Sequence, residues 1–236
     1  MITVATWNVL HRVHAENWGE EAVARWPDEA ARIAAVAAHL AGRTERAVAL
    51  QEVSGDQLAA LRRELPERSI HALRYPRVPR PHNGASILAD PDEYLVLLVD
   101  GDAEPVAAEA FPDDPGKGLL AVAMDGVLVV ATHVSHGAAR PAQLARLGDL
   151  ARGAGGPAVL LGDFNADGGT VAAGLGPGFA VAVLPEGAPP TRPGGRTPNI
   201  DHVVVYCARA GAASVEDAGG LSDHNVVRGS LESADA

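Results

Sequence analysis

Apolar and polar residues alternate from position 2 to position 9. Val4, Thr6 and Asn8 share one face and Trp7 and Val9 the other, which is the period of a strand. Residues 11–26 are polar and aromatic without a period and read as a loop holding at most a short helix. Pro27 and Asp28 then open a helix to about residue 41, with Ala31, Ile33, Ala34, Val36, Ala37 and Leu40 as its stripe and Gly42 as its stop. A second strand covers 47–53. Ser54 with Gln57 three residues on has the form of a capping box, and the helix it starts ends near Leu65 before Pro66. Further strands are predicted at 85–89, 94–99, 103–111, 119–124 and 127–133, the last two joined by Asp125-Gly126, a strong hairpin signal. A helix over 140–152 buries Leu144, Leu147 and Leu150, although Gly148 lowers its propensity. Strands follow at 158–161, 179–184, 199–206 and 226–231, with fraying after Glu232. The stretches 73–81, 112–118, 168–178 and 185–198 read as loops and turns.

With neither an internal repeat nor a linker between two cores, the pattern predicts one α/β domain over 1–236, with mainly antiparallel sheets and helices packed outside.

Polar chemistry gathers where the apolar strands end. Gly162-Asp163-Phe164-Asn165 follows Ala158-Val159-Leu160-Leu161. On extended backbone Asp163 and Asn165 point to one side and Phe164 into the core. A carboxylate beside an amide can orient or deprotonate a water while the amide donates to an oxygen gaining charge. Asn8, Glu52, His133, Asp201, Asp223 and His224 occupy comparable strand-end positions. Any one of them alone reads as a cap, turn or solvated residue. Together they suggest one rim lined with acids, amides and imidazoles. Oxygen ligands of this kind suit a hard cation such as Mg2+, and neither a Cys cluster nor an H-E-x-x-H pattern points to zinc. A hard cation with imidazole and amide donors suits phosphoryl chemistry.

Composition narrows the partners. The formal net charge is −11 and the chain has a single lysine, Lys117, so the bulk field opposes long polyanions and favours a small substrate. The single cysteine, Cys207, forms no internal disulfide. No run approaches the roughly 20 apolar residues needed to span a bilayer, and the first residues start directly on a strand pattern. A cytoplasmic protein without membrane insertion is the simplest expectation; its oligomeric state is open.

The chain resembles the endonuclease/exonuclease/phosphatase superfamily, which includes DNase-I-like nucleases, abasic-site endonucleases, inositol-polyphosphate 5-phosphatases and neutral sphingomyelinases. The resemblance rests on Thr6-Trp7-Asn8-Val9, Leu50-Gln51-Glu52-Val53, Asn83-Gly84-Ala85-Ser86-Ile87-Leu88, Thr132-His133-Val134-Ser135-His136, Gly162-Asp163-Phe164-Asn165, Ile200-Asp201-His202-Val203 and Ser222-Asp223-His224, in the family's order along nearly the whole chain. It implies a four-layer α/β/β/α sandwich of two mainly antiparallel sheets with flanking helices, and a site at one edge of the sheets. It further implies a metal, Mg2+ or in its place Mn2+, with Glu52 as principal ligand, Asn8 beside it and Asp223 approaching directly or through water. Asp163 would orient or deprotonate the attacking water, Asn165 hold a phosphate oxygen and His133 contact the phosphate. His224 would stabilise the phosphoryl group or assist proton transfer, its tautomer set by Asp201. Arg80, His136, Arg140 and His202 are read as structural.

The chain also departs from the family. It is short, compact between Val53 and Ala85, and without evident DNA-gripping basic loops or the lysine- and arginine-bearing motifs of the inositol-phosphatase branch. The expected activity is therefore metal-dependent hydrolysis of a phosphomonoester or phosphodiester, with a phosphorylated small molecule ahead of nucleic acid. A DNA or RNA endonuclease or exonuclease is the alternative, and it requires a groove built from Arg74, Arg77, Arg80, Arg192 and Arg196. A non-hydrolytic protein reusing the scaffold is the second alternative, because fold does not fix function.

Overall fold

A computed structural model describes residues 1–233. The first sheet is built from β1 (Ile2–Asn8), β2 (Ala47–Ser54), β3 (Ser69–Arg74) and β4 (Glu93–Val99), with β11 (Ala208–Ala210), β12 (Ser214–Glu216) and β13 (Val226–Ser233) from the far end of the chain. Its order is β11-β13-β1-β2-β4-β3, and β12 also pairs with β13. The second sheet has the order β5-β6-β7-β8-β10-β9, from β5 (Glu104–Phe111), β6 (Asp114–Met124), β7 (Val127–His133), β8 (Ala158–Asp163), β9 (Phe179–Val181) and β10 (Asp201–Tyr206). Each sheet has one parallel pair, β1 with β2 and β7 with β8; the other pairs are antiparallel.

The sheets face each other across a core containing Val4, Leu97, Val122, Val129, Leu161 and Val203. Strand period sends alternate residues outward, and Trp7, Leu50 and Leu98 pack under α3 (Glu29–Ala41) and α4 (Gly55–Glu64). On the opposite side Leu128, Val130 and Leu160 pack under α5 (Arg140–Gly153) and α6 (Gly168–Leu175). The four layers are therefore helices, sheet, sheet, helices. Leu144 and Leu147 of α5, both buried, each contribute about 2 kcal/mol by leaving water. The Ser54–Gln57 capping box is formed, and Asp125 and Gly126 have the positive φ angles, 51° and 75°, of a tight hairpin turn.

Several local expectations are corrected. Residues 11–26 hold two helices, α1 (Arg12–Trp18) and α2 (Glu21–Arg25). The His11 side chain caps α1 by accepting from Val13 N, and Gly19 ends it in the left-handed conformation. The glycine-rich stretch after Asp167 is α6: Asp167 caps it and Val171 and Leu175 bury against α5. Residues 85–89 form no strand; Asp56 accepts from the amides of Ala89 and Asp90, and Ser86 Oγ accepts from Leu88 N, so side chains take the bonds a ladder would need. The half-exposed edge strand β3 falls outside the predicted set, and β6 starts at Asp114, leaving only Pro112-Asp113 as the turn. Regular pairing in the 179–184 segment stops at Val181. The fraying expected after Glu232 lies largely outside the described residues. No helix among the described residues is long and apolar enough to cross a membrane.

Candidate active site

Strand direction and register gather the polar strand ends. In the second sheet His133 pairs with Asp163 across the parallel β7–β8 ladder, and Asp163 pairs with Asp201 across β8–β10. His133, Asp163 and Asp201 thus stand in one row. In the facing sheet the parallel β1–β2 pair ends on the same side, Asn8 opposite Gln51. There β2 is irregular between Leu50 and Val53, and Glu52 has φ 57°. Such an irregularity re-aims a side chain at some backbone cost. Here it brings Glu52 to Asn8, whose Nδ2 donates to Glu52 Oε1 (3.1 Å) and Asp163 Oδ2 (3.3 Å) and so links the two sheets. Leu10 N fixes the amide by donating to Asn8 Oδ1 at 3.0 Å.

The C-terminal end of the chain supplies the remaining groups. Trp7 Nε1 donates to the His224 carbonyl (3.0 Å), and Ser222 Oγ donates to the Asn8 carbonyl (2.6 Å) while accepting from His224 N (3.1 Å). These bonds lock the 222–224 turn against β1. His224 Nδ1 then meets both oxygens of buried Asp201, at 2.9 and 3.0 Å, and its Nε2 lies 3.9 Å from Asp163 Oδ2. His133 Nε2 is 3.4 Å from the same oxygen, so Asp163 lies between two imidazoles.

Asn165 reaches the site by a route different from the extended backbone expected. Its φ is 51°, left-handed, and its amide N donates to Asp163 Oδ1 at 2.9 Å. Its Nδ2 donates to the Val134 carbonyl (2.8 Å), and Arg140 holds its backbone carbonyl (2.8 Å). His202 Nε2 lies 2.8 Å from the Ala166 carbonyl. Phe164 is fully buried as expected.

Charge follows from these contacts. Burial opposes ionisation of Asp163, but hydrogen bonding and charge from His133, with the charges of His224 and Lys117, hold it far below the usual carboxylate range. Burial likewise opposes ionisation of Glu52, and His14, Lys117, His133 and the Asn8 hydrogen bond push it below the usual range. Burial disfavours the His224 imidazolium, yet Asp201, then Asp223 and Asp163, raise it to about 10. In the His224–Asp201 pair the proton stays on the imidazole.

Glu52, Asp163, Asn165, His133, Asp223 and His224 line one cleft of about 1010 Å³. Asp223 Oδ2 is engaged by Arg192, at 3.1 Å from Nε and 3.0 Å from an Nη. The 185–198 loop carrying Arg192 is pinned where Thr191 Oγ1 accepts from the amides of Ile200 and Asp201 and Arg192 N donates to the Pro198 carbonyl. Two groupings could hold a cation. Ligand atoms of Asp163, Asp201 and His224 lie within 4.8 Å of one another. In that triangle, however, the imidazole proton and the Asp201 oxygens already satisfy each other. Glu52 accepts only from Asn8 and the His11 amide (3.3 Å) and has no ion pair among the described residues. A largely sequestered carboxylate whose direct hydrogen-bond partners are both neutral fits a hard cation better.

Sequence reasoning passed over Lys117 and His14 in the cleft. Lys117 reaches the ring nitrogens of His133, and being the chain's single lysine was the available signal. His14 meets fully buried Glu93 at 3.2 Å, a contact no local pattern announces. Of the five arginines required for a nuclease groove, Arg77, Arg80 and Arg192 line the cleft, Arg196 lines an adjoining pocket with Arg140, and Arg74 pairs with Asp92. Arg80 and His136, read as structural, also line the cleft.

A model of the endonuclease/exonuclease/phosphatase family matches residues 5–224. The chain belongs to the endonuclease/exonuclease/phosphatase family. Among solved structures, a Bacteroides vulgatus protein of that family is 19% identical, with TM-score 0.70 over 98% of both chains. A Beutenbergia cavernae member is 23% identical, with TM-score 0.69 over all of this chain and 72% of its own. D. rerio TDP2 complexed with a single-strand DNA product is 14% identical, with TM-score 0.69 over 98% of this chain and 99% of its own. At these identities the likeness is one of fold. No curated protein matches by sequence. All three activities in the family's name act on phosphoester bonds, so phosphoester chemistry is the frame for the site.

Proposed function

We propose that this chain is a divalent-metal-dependent phosphoesterase that hydrolyses its substrate by in-line attack of water in the cleft. The observation that carries the reading is Asp163 set between His133 and His224, with His224 backed by Asp201. Glu52, with Asn8 beside it, would hold Mg2+ or Mn2+, which supplies charge neutralisation at the phosphoryl group. Asp163 accepts a hydrogen bond from the attacking water. Its low proton affinity makes it an orienting group more than a net base. His224 donates from Nε2 to a phosphoryl oxygen, with Asp201 fixing its tautomer. His133, backed by Lys117, contacts the phosphate from the other side. Asn165 spends one amide hydrogen on Val134 and offers the second to a phosphate oxygen. Asp223 aims Arg192 at the cleft.

The net charge favours a small phosphorylated substrate. Arg77, Arg80 and Arg192 at the cleft favour the second reading, cleavage of a nucleic-acid phosphodiester. The deciding experiment measures phosphate release and strand cleavage in parallel, with Mg2+ and with EDTA, for wild type and Asp163→Ala. The substrates are sugar and nucleotide phosphates, a generic phosphodiester, plasmid DNA and an abasic-site duplex. Metal-dependent turnover that falls by at least about 100-fold in the variant is expected. Folded wild-type protein that turns over nothing and binds neither Mg2+ nor Mn2+ overturns the proposal.

A further inference from the structure

Among the described residues Trp18, the last residue of α1, is the one large aromatic side chain left mostly in water, at 74% exposure, and it lines the candidate active-site cleft. The other two tryptophans are buried or half-buried. Its surroundings are built. The neighbouring Asn17 donates from Nδ2 to the Arg80 carbonyl (3.0 Å) and accepts from His82 N (2.7 Å). Those two bonds clamp the 80–82 segment to the end of α1. The clamp sets the His82 ring edge-on to the indole, centroids 6.0 Å apart and planes 77° apart. An edge-on neighbour steadies the indole and leaves a face for another flat ring. Arg80, in the same clamped segment, also lines the cleft and makes no ion pair among the described residues. A fixed indole beside an unpaired guanidinium matches a flat ring carried on a phosphate: the ring stacks, and the cation meets the anion.

We propose that Trp18, steadied by His82 and the Asn17 clamp and flanked by Arg80, is a stacking subsite for a nucleobase of the substrate. The inference deepens the phosphoesterase reading and rests on it for the assignment of the cleft. One stacked base with one or two phosphates is also compatible with an acidic chain, because little of the affinity then depends on neutralising many phosphates. A free nucleotide and a single-strand end share this chemistry.

The test is binding in EDTA, where the metal-dependent reaction is off. Fluorescence anisotropy compares labelled (dA)6 with a six-unit abasic sugar-phosphate strand of equal charge, for wild type, Trp18→Phe and Trp18→Ala, with AMP as competitor. Wild type should bind (dA)6 about 5- to 150-fold tighter than the abasic strand, the range for stacking one base on an aromatic ring. Trp18→Phe should keep part of that preference, and Trp18→Ala should lose it without a change in abasic-strand affinity. Competition by AMP at concentrations comparable to (dA)6 assigns the subsite to a single nucleotide; competition by the strand alone assigns it to a strand end. A wild type without base preference, or a Trp18→Ala that retains it, overturns the proposal. The two readings fail separately. Metal-dependent turnover lost in Asp163→Ala can persist without a base preference, and a base preference lost in Trp18→Ala can exist without turnover. Because Trp18 is mostly exposed, its replacement leaves the core intact.

Discussion

Replacing Asp201 by Asn tests the electrostatic core of the site. Asn has nearly the same shape, so the substitution removes charge and little else. His224 is raised from an ordinary 6.5 to about 10, and a shift of that size corresponds to about 5 kcal/mol in favour of the imidazolium. Asp201 is the first of the groups that raise it, in direct contact at 2.9 Å. Breaking a buried ion pair on one side costs roughly 3–5 kcal/mol, and Asn can still accept from Nδ1–H, so about 3 kcal/mol is expected. The sign follows from linkage. A histidine whose folded-state value exceeds its unfolded value contributes stability that is complete below about 6.5 and is lost as pH rises through about 10. Urea unfolding of wild type and Asp201→Asn in EDTA, from pH 6 to pH 10, should therefore show a gap of about 3 kcal/mol at pH 6 that closes towards pH 10. The corresponding shift in Tm at pH 6 is roughly 6–12 °C for a chain of this size. A gap of constant size across that range would refute the placement of the proton on His224. Turnover near pH 7 should fall by about 100-fold or more as the imidazolium donor is lost.

Three further outcomes are expected. Glu52→Gln should abolish the rise in Tm that Mg2+ or Mn2+ gives the wild type, which at a hundred times Kd amounts to about 2.7 kcal/mol; an undiminished rise would place the cation elsewhere. Lys117→Met should lower turnover by about 10-fold or more while circular dichroism and Tm stay near wild type; unchanged kinetics would remove Lys117 from the site. Gly162→Ala should destabilise by at least about 2 kcal/mol, because its Cβ would stand 2.1 Å from the Thr132 carbonyl oxygen across the β7–β8 ladder, and backbone there cannot yield without moving Asp163. A melting temperature within 2 °C of wild type would contradict that packing.

The layered fold was legible because its central strands are buried on both faces and read as apolar runs, as in Ala47-Val48-Ala49-Leu50 and Ala158-Val159-Leu160-Leu161. What escaped lay where a tertiary partner outweighs propensity. The glycines of α6 argue for a loop, yet Gly174 lets the helix approach Leu144 so closely that a Cβ there would stand 2.3 Å from its Cδ1. Capping by a histidine, as at α1, has no strong sequence signature. The rim itself was readable, since Asn8, Glu52, His133, Asp163, Asp201 and His224 all follow or precede apolar strands. Its cationic complement was not. Lys117 and His14 reach the cleft from β6 and α1, and only the packing of those elements shows which acids they face.

The pairing of β1 with β13 bears on how the protein folds. β1 lies inside its sheet, and its partner on one side, β13, comes from a distant part of the chain, Ile2 pairing with Leu231. Until β13 docks, β1 offers an open edge, and the bonds of Trp7 and Asn8 with the 222–224 turn are unmade. Contacts of such large sequence separation are slow to form, and the folding chain passes through a stage with an unpaired strand edge in the middle of the sheet. The same closure brings His224 to Asp163, so chains in which β13 has not yet docked on β1 should be both aggregation-prone and inert.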